Sequence, residues 1–184
     1  IRDSSTSRGL GDVYKRQALK SDDVDSILPL FLPVDSEVYY GIAGTAVRTL
    51  MRLVDTGLYP DKAYIMQKTE DENGALQKVE GEKGFVSALG GKGNALQFTA
   101  SVFGQEKFAS VDEDALDAIG ELLNCINGLY VSECKDGSSL ELMPPSFKTG
   151  IQGFESRKML VLPIHIKNDC VDLMIAIGDE IEMK

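Results

Sequence analysis

At 184 residues, with a net charge of −10 and ordinary apolar and charged fractions, the chain has the length of one globular domain. The acidic balance argues against nucleic acid or an anionic membrane as a partner, since both are bound through a basic footprint. Cys125, Cys134 and Cys170 form no C-x-x-C pair and read as free thiols in a reducing compartment, and the apolar run Met159 to Ile166 is too short to span a bilayer, so a cytoplasmic location is expected.

Residues 1–17 (IRDSSTSRGLGDVYKRQ) stand apart. They lack periodicity, carry four basic residues in an acidic protein, and resemble translated adaptor sequence. They read as a non-native or disordered segment, which leaves room for an upstream domain, and a single domain is expected over residues 18–184. Ser21-Asp22-Asp23 offers the start of a short helix limited by Pro29 and Pro33. A longer helix is predicted from Asp35 to Thr56. Tyr39, Ile42, Ala43, Ala46, Leu50, Leu53 and Val54 keep the 3.6-residue period there, and Gly57 ends it. Gly41 and Gly44 inside that helix suggest that another backbone approaches closely.

A short apolar piece at Ala63 to Met66 leads into a polar turn at Lys68 to Asn73. Gly84 to Leu89 and Leu96 to Phe103 then read as two strands of a hairpin around Gly90-Gly91-Lys92-Gly93-Asn94, because Leu96, Phe98, Ala100 and Val102 alternate with polar residues. The glycine cluster lacks the spacing of a phosphate-binding loop and reads as a plain turn. A second long helix is predicted from Asp112 to Val131, its acidic start suited to the positive end of the helix dipole. Lys135 to Ser138 is a predicted turn, Leu140 to Met143 a short strand, and Pro144-Pro145 a break. Lys158 to Ile166 and Val171 to Ile177 are a closing strand pair.

The two long helices are related. Glu37 to Gly44 aligns with Glu121 to Gly128, each with Glu first and Gly seven residues later, and each helix precedes a predicted hairpin. The expected fold is therefore α+β, a pseudo-twofold repeat of helix plus β-hairpin with the two long helices packed on one face of a mostly antiparallel sheet.

Chemistry-bearing residues concentrate on the second helix. Asp117, Glu121 and Asn124, at i, i+4 and i+7, make one polar stripe opposite the apolar side of Ala115, Leu116, Ile119, Leu122, Leu123, Ile126 and Tyr130. The stripe is either a solvated face or a working surface. Asn124 and Asn127 are poor helix-interior residues, and Gly120 and Gly128 are small enough to admit a partner surface, so Asp117, Gly120, Asn127 and Gly128 are candidate contacts. His165 is the only histidine, which leaves serine–histidine, cysteine–histidine and multi-histidine metal chemistry without partners, and two carboxylates alone do not make a metal site. His165 and Cys125 read as structural.

Asp117-x-x-x-Glu121-x-x-Asn124 resembles the signature of the CheC/CheX family of chemotaxis phosphatases, which continues to a proline slightly further on than Pro144 and Pro145 stand here. The helix-plus-strands repeat is similar to that family's doubled organisation. In the first half Glu37 is kept, but Tyr40 replaces the Asn and Pro33 the leading Asp, so one intact motif remains, as in CheX-like members. The resemblance implies hydrolysis of the aspartyl phosphate on a CheY-like response regulator. Asn124 would orient the attacking water, Glu121 would pair with the receiver's lysine, and Asp117 would be a rim contact. It implies no cofactor on this chain, Mg²⁺ on the phosphorylated receiver, and monomers or a homodimer. A competing reading is a non-catalytic receiver-binding or flagellar-switch-like module of the same fold. A third, an unrelated ligand-binding domain, would need an enclosed pocket.

Overall fold

The computed structural model describes residues 20–134 and 139–184. The segment 1–17 and the turn predicted at 135–138 lie outside the described residues. Helix α1 (Val24–Ile27) is a single turn followed by a 3₁₀ turn in which Pro29 takes an N-terminal position. Helix α2 (Glu37–Leu53) and helix α4 (Glu113–Glu133) are the two long helices, and both follow the 3.6-residue apolar period.

The strands are β1 (Tyr59–Pro60), β2 (Tyr64–Lys68), β3 (Asn73–Gly81), β4 (Phe85–Gly91), β5 (Leu140–Leu142), β6 (Ser146–Thr149), β7 (Phe154–Ile166), β8 (Asp169–Ile177) and β9 (Glu182–Met183). They form one sheet in the order β1-β7-β8-β4-β3-β5, with β2 and β9 also on β7 and β6 on β3. The pairings among the described residues are antiparallel. The fold is the α+β arrangement that the repeat implied: α2 precedes the β3–β4 hairpin and α4 precedes the β7–β8 hairpin.

Period-two alternation divides the sheet's side chains between two cores. Ala75, Val79, Phe85, Leu89, Leu160, Leu162, Leu173 and Ile175 join Leu50, Leu116, Leu122 and Ile126 of the long helices. Val86, Ala88, Met159, Val161, Met174 and Ala176 pack on the other face with Phe154, Ile151 and Ile181. Both faces being covered, β4 is buried along its whole length. A Cβ on Gly41 would stand 2.8 Å from the Tyr130 ring of α4, and one on Gly44 would stand 2.8 Å from the Asp25 carboxylate of α1. The close approach foreseen at these glycines comes from side chains and not from a backbone.

One predicted strand is a helix. Leu96 to Phe103 lies within helix α3 (Asn94–Gly104), and the glycine cluster is the end of β4 followed by a helix start, not a hairpin turn. The alternation misleads because Thr99, one of its polar members, is fully buried beside Ala95, Leu96 and Ala100. The helix start is supplied from far along the chain: the Asp169 carboxylate, in the β7–β8 hairpin, accepts from the Ala95 N–H at 3.1 Å. A Cβ on Gly93 would lie 2.1 Å from that carboxylate, so glycine is required there. Gln97 donates to the Phe108 carbonyl at 2.7 Å and Ser101 Oγ accepts from the Phe108 N–H at 3.2 Å, tying the following loop to α3. The hairpin partner of β4 is β3, which begins where the sequence reading placed a turn.

Candidate functional site

Helix α4 begins as its sequence dictates. The Asp112 side chain accepts from the Ala115 N–H at 3.0 Å, with Glu113 and Asp114 in the first turn. Ala115, Leu116, Ile119, Leu122, Leu123 and Ile126 are buried, which fixes the rotation of the helix and turns the opposite stripe outward. Asp117 and Glu121 are exposed and Asn124 is half-buried. Among the described residues neither carboxylate takes part in an ion pair.

Beneath the stripe lies a polar network that the sequence reading missed. Gln77 on β3 and Ser87 on β4 are directly opposite in register, and the alternation that sends Ala75 and Val79 toward α4 sends Gln77 there too. Both are fully buried. Gln77 Nε2 donates to Asn124 Oδ1 at 2.7 Å and to the Met143 carbonyl at 2.7 Å. Gln77 Oε1 accepts from Asn127 Nδ2 at 2.8 Å, and Ser87 Oγ donates to Asn127 Oδ1 at 3.0 Å. Asn124 is the member of this network that reaches the surface.

Two of the candidate contacts are thereby corrected. Asn127 is fully buried and its carboxamide is committed to Gln77 and Ser87, so it is a core residue and not a partner contact. Its place four residues after the buried Leu123 was the available signal. Gly120 is also buried, and the surface it admits is this chain's own: a Cβ there would stand 3.4 Å from Pro145 and 3.8 Å from Phe147. Pro145 is therefore the proline that packs beside the Glu121–Asn124 segment. Gly128 is half-buried, with Leu142 nearest, and lines a groove of about 1030 Å³ between α2 and α4 together with Thr49, Leu53, Cys125 and Leu129.

The corresponding end of α2 carries no such arrangement. Glu37 is exposed, but the Tyr40 hydroxyl donates to the Val34 carbonyl at 2.5 Å and holds the segment preceding the helix. Elsewhere, His165 stacks on Tyr59 at 4.8 Å and meets Asp61 at 2.9 Å. A separate carboxylate pair lies at the end of the sheet. Burial, with the charge of Asp71 adding to it, pushes Asp172 up to about 6, and burial also raises Asp71. Burial pushes the neighbouring Cys170 thiol up to about 12, which makes it a poor nucleophile. Among the described residues no three His, Cys, Asp or Glu side chains stand together as a metal-binding group.

Comparison with known proteins agrees with this fold. The family model described as chemotaxis phosphatase CheX matches residues 74–165, half of the chain. No curated protein matches the sequence. Among solved structures, a CheC-like superfamily protein from Shewanella sp. PV-4 superposes with a TM-score of 0.65 at 15% identity, covering 79% of this chain and 99% of its own. The chemotaxis protein CheX from Desulfovibrio desulfuricans gives 0.66 at 14% identity, covering 78% and 100%. A CheX–CheY–BeF₃–Mg²⁺ complex from Borrelia burgdorferi gives 0.58 at 17% identity, covering 76% and 96%.

Proposed function

Because the chain belongs to the CheX family of chemotaxis phosphatases, we propose that it hydrolyses the aspartyl phosphate of a CheY-like receiver domain. An acyl phosphate is already activated, and the receiver brings the phosphorylated aspartate, its Mg²⁺ and a lysine. Water attacks phosphorus, the bond from phosphorus to the carboxylate oxygen breaks, the aspartate leaves as its carboxylate, and both water protons remain on the released phosphate. What this chain adds is position, for a water held in line with the breaking bond.

Asn124 is the residue we assign to that water. A carboxamide can hold a water by hydrogen bonds without bringing negative charge to a phosphoryl group. Glu121, one helical turn away and exposed, is assigned to the receiver's lysine through a charge-assisted bond that sets the docking register, with Asp117 at the rim. The observation that carries this reading is the pairing of an exposed Glu121 with an Asn124 braced at the surface by Gln77. The Borrelia neighbour, a complex with CheY, BeF₃ and Mg²⁺, supports a receiver as the partner.

The test is phosphate release from a panel of phosphorylated receiver domains. The chain should shorten the phosphoryl lifetime of at least one receiver, Asn124→Ala should abolish the acceleration, and Glu121→Ala should weaken docking. Receiver binding without acceleration would replace this reading with that of a binding module.

A further inference from the structure

We propose that Gln77 is a positioning residue that fixes which end of the Asn124 carboxamide faces outward, so that Asn124 meets the attacking water through its Nδ2 donor. This rests on the reading of Asn124 as the water-holding group and adds to it a residue and a polarity. A carboxamide has two ends of similar size and opposite hydrogen-bonding sense, and a free asparagine can present either. Here the choice is made from the backbone outward. The Met143 carbonyl can only accept, so the Gln77 atom 2.7 Å from it is the amino nitrogen. The second hydrogen of that nitrogen points to Asn124, so the Asn124 atom 2.7 Å away is the oxygen.

The other end of Gln77 is also partnered. Its Oε1 accepts from Asn127 Nδ2 at 2.8 Å, and the Ser87 hydroxyl, able to donate or accept, lies 3.0 Å from Asn127 Oδ1 and 2.9 Å from its Nδ2. Reversing the Gln77 amide would set its oxygen against the Met143 carbonyl, two acceptors face to face, and no turn of Asn124 or Asn127 could restore that bond. The Met143 carbonyl is itself located, because the Met143 N–H donates to the Lys78 carbonyl at 2.9 Å and Pro145, two residues on, packs against Gly120 of α4. The outward end of Asn124 is therefore Nδ2. Donating to one lone pair of a water oxygen, it leaves the other lone pair for phosphorus.

The experiment measures turnover and receiver affinity separately on the full chain. Gln77→Met keeps the length of the side chain and removes the donor. It should lower kcat by on the order of 10- to 100-fold while KM for the phosphorylated receiver stays within about twofold, since Glu121 and Asp117 are untouched. Asn124→Asp, on a half-exposed position, replaces the outward donor by an acceptor and should lose as much activity as Asn124→Ala. If Asn124→Ala is inactive but Gln77→Met or Asn124→Asp turns over like the wild type, the inference is overturned while the phosphatase reading stands. If Asn124→Ala is fully active, the reading of Asn124 fails and this inference with it. A measurement on the unmodified protein does not depend on any variant folding: by NMR, the Gln77 Nε2 protons should be protected from solvent exchange and the Asn124 Nδ2 protons should exchange freely. The reverse pattern overturns the proposal.

Discussion

Asn127→Ala separates a core residue from a docking residue at a position where the two assignments predict opposite measurements. The carboxamide is fully buried and satisfies Gln77 Oε1 at 2.8 Å and Ser87 Oγ at 3.0 Å. Truncation leaves two buried polar groups without a partner, each costing about 1–3 kcal/mol, offset in part by the asparagine's own desolvation no longer being required. The expected net loss is about 2–4 kcal/mol, a large share of the roughly 5–15 kcal/mol that holds a domain together. For a chain of this size that lowers the thermal midpoint by roughly 5–15 °C. Urea denaturation followed by circular dichroism should show a lower midpoint at an unchanged slope, since the surface exposed on unfolding is nearly the same. Ser87→Ala should cost about 1 kcal/mol, and the double variant should cost less than the sum, with a coupling of at least about 0.5 kcal/mol, because both substitutions remove one bond. A loss under about 1 kcal/mol for Asn127→Ala, accompanied by weakened receiver binding, would refute the assignment of Asn127 to the core.

Further outcomes follow from individual environments. Asp172 has its folded-state value raised to about 6, so the folded protein binds more protons than the unfolded chain between about pH 4 and 6, and stability falls as pH rises through that window. Asp172→Asn should therefore raise stability at pH 7 by about 1–3 kcal/mol and reduce the slope between pH 4 and 6; denaturation curves at several pH values with an undiminished slope would contradict this. Gly120→Ala places a Cβ in ordinary contact 3.4 Å from Pro145 inside a helix, and it should gain up to about 1 kcal/mol, or roughly 2–4 °C, in a melting experiment. Gly93→Ala should do the reverse. Its Cβ, 2.1 Å from Asp169, displaces the carboxylate that caps α3, at a cost of about 1–2 kcal/mol in the same assay.

The sequence was most legible where structure is decided locally. Helix α4 carries its own period and its own cap in Asp112, and the β7–β8 hairpin carries its own alternation and turn, so both are legible, although β7 begins at Phe154, ahead of the predicted start at Lys158. Helix α3 was misread because its cap is Asp169, which no window around Leu96 contains, and because a buried Thr99 imitates the polar half of a strand. The same division runs through the site. Asp117, Glu121 and Asn124 stand at helical spacing and could be grouped from their numbers alone. Gln77 meets Asn124 only because β3 and β4 pair in the register that sets Gln77 opposite Ser87 under α4, and a one-residue slip would turn both away. Asn127 was grouped with Asn124 by residue type, although its position relative to Leu123 already placed it toward the sheet.

Asn124 is bound to the core through Gln77 and open to solvent on its other side, so what holds the fold beneath α4 also orients the group assigned to the water. Stability and turnover should then be linked at Gln77 and Asn127, where a substitution disturbs the network. They should be separable at Glu121, where the exposed carboxylate, assigned to docking, should contribute little to folding. A protein that supplies only position can depend on one side chain meeting the substrate, provided that the core beneath fixes how that side chain is turned.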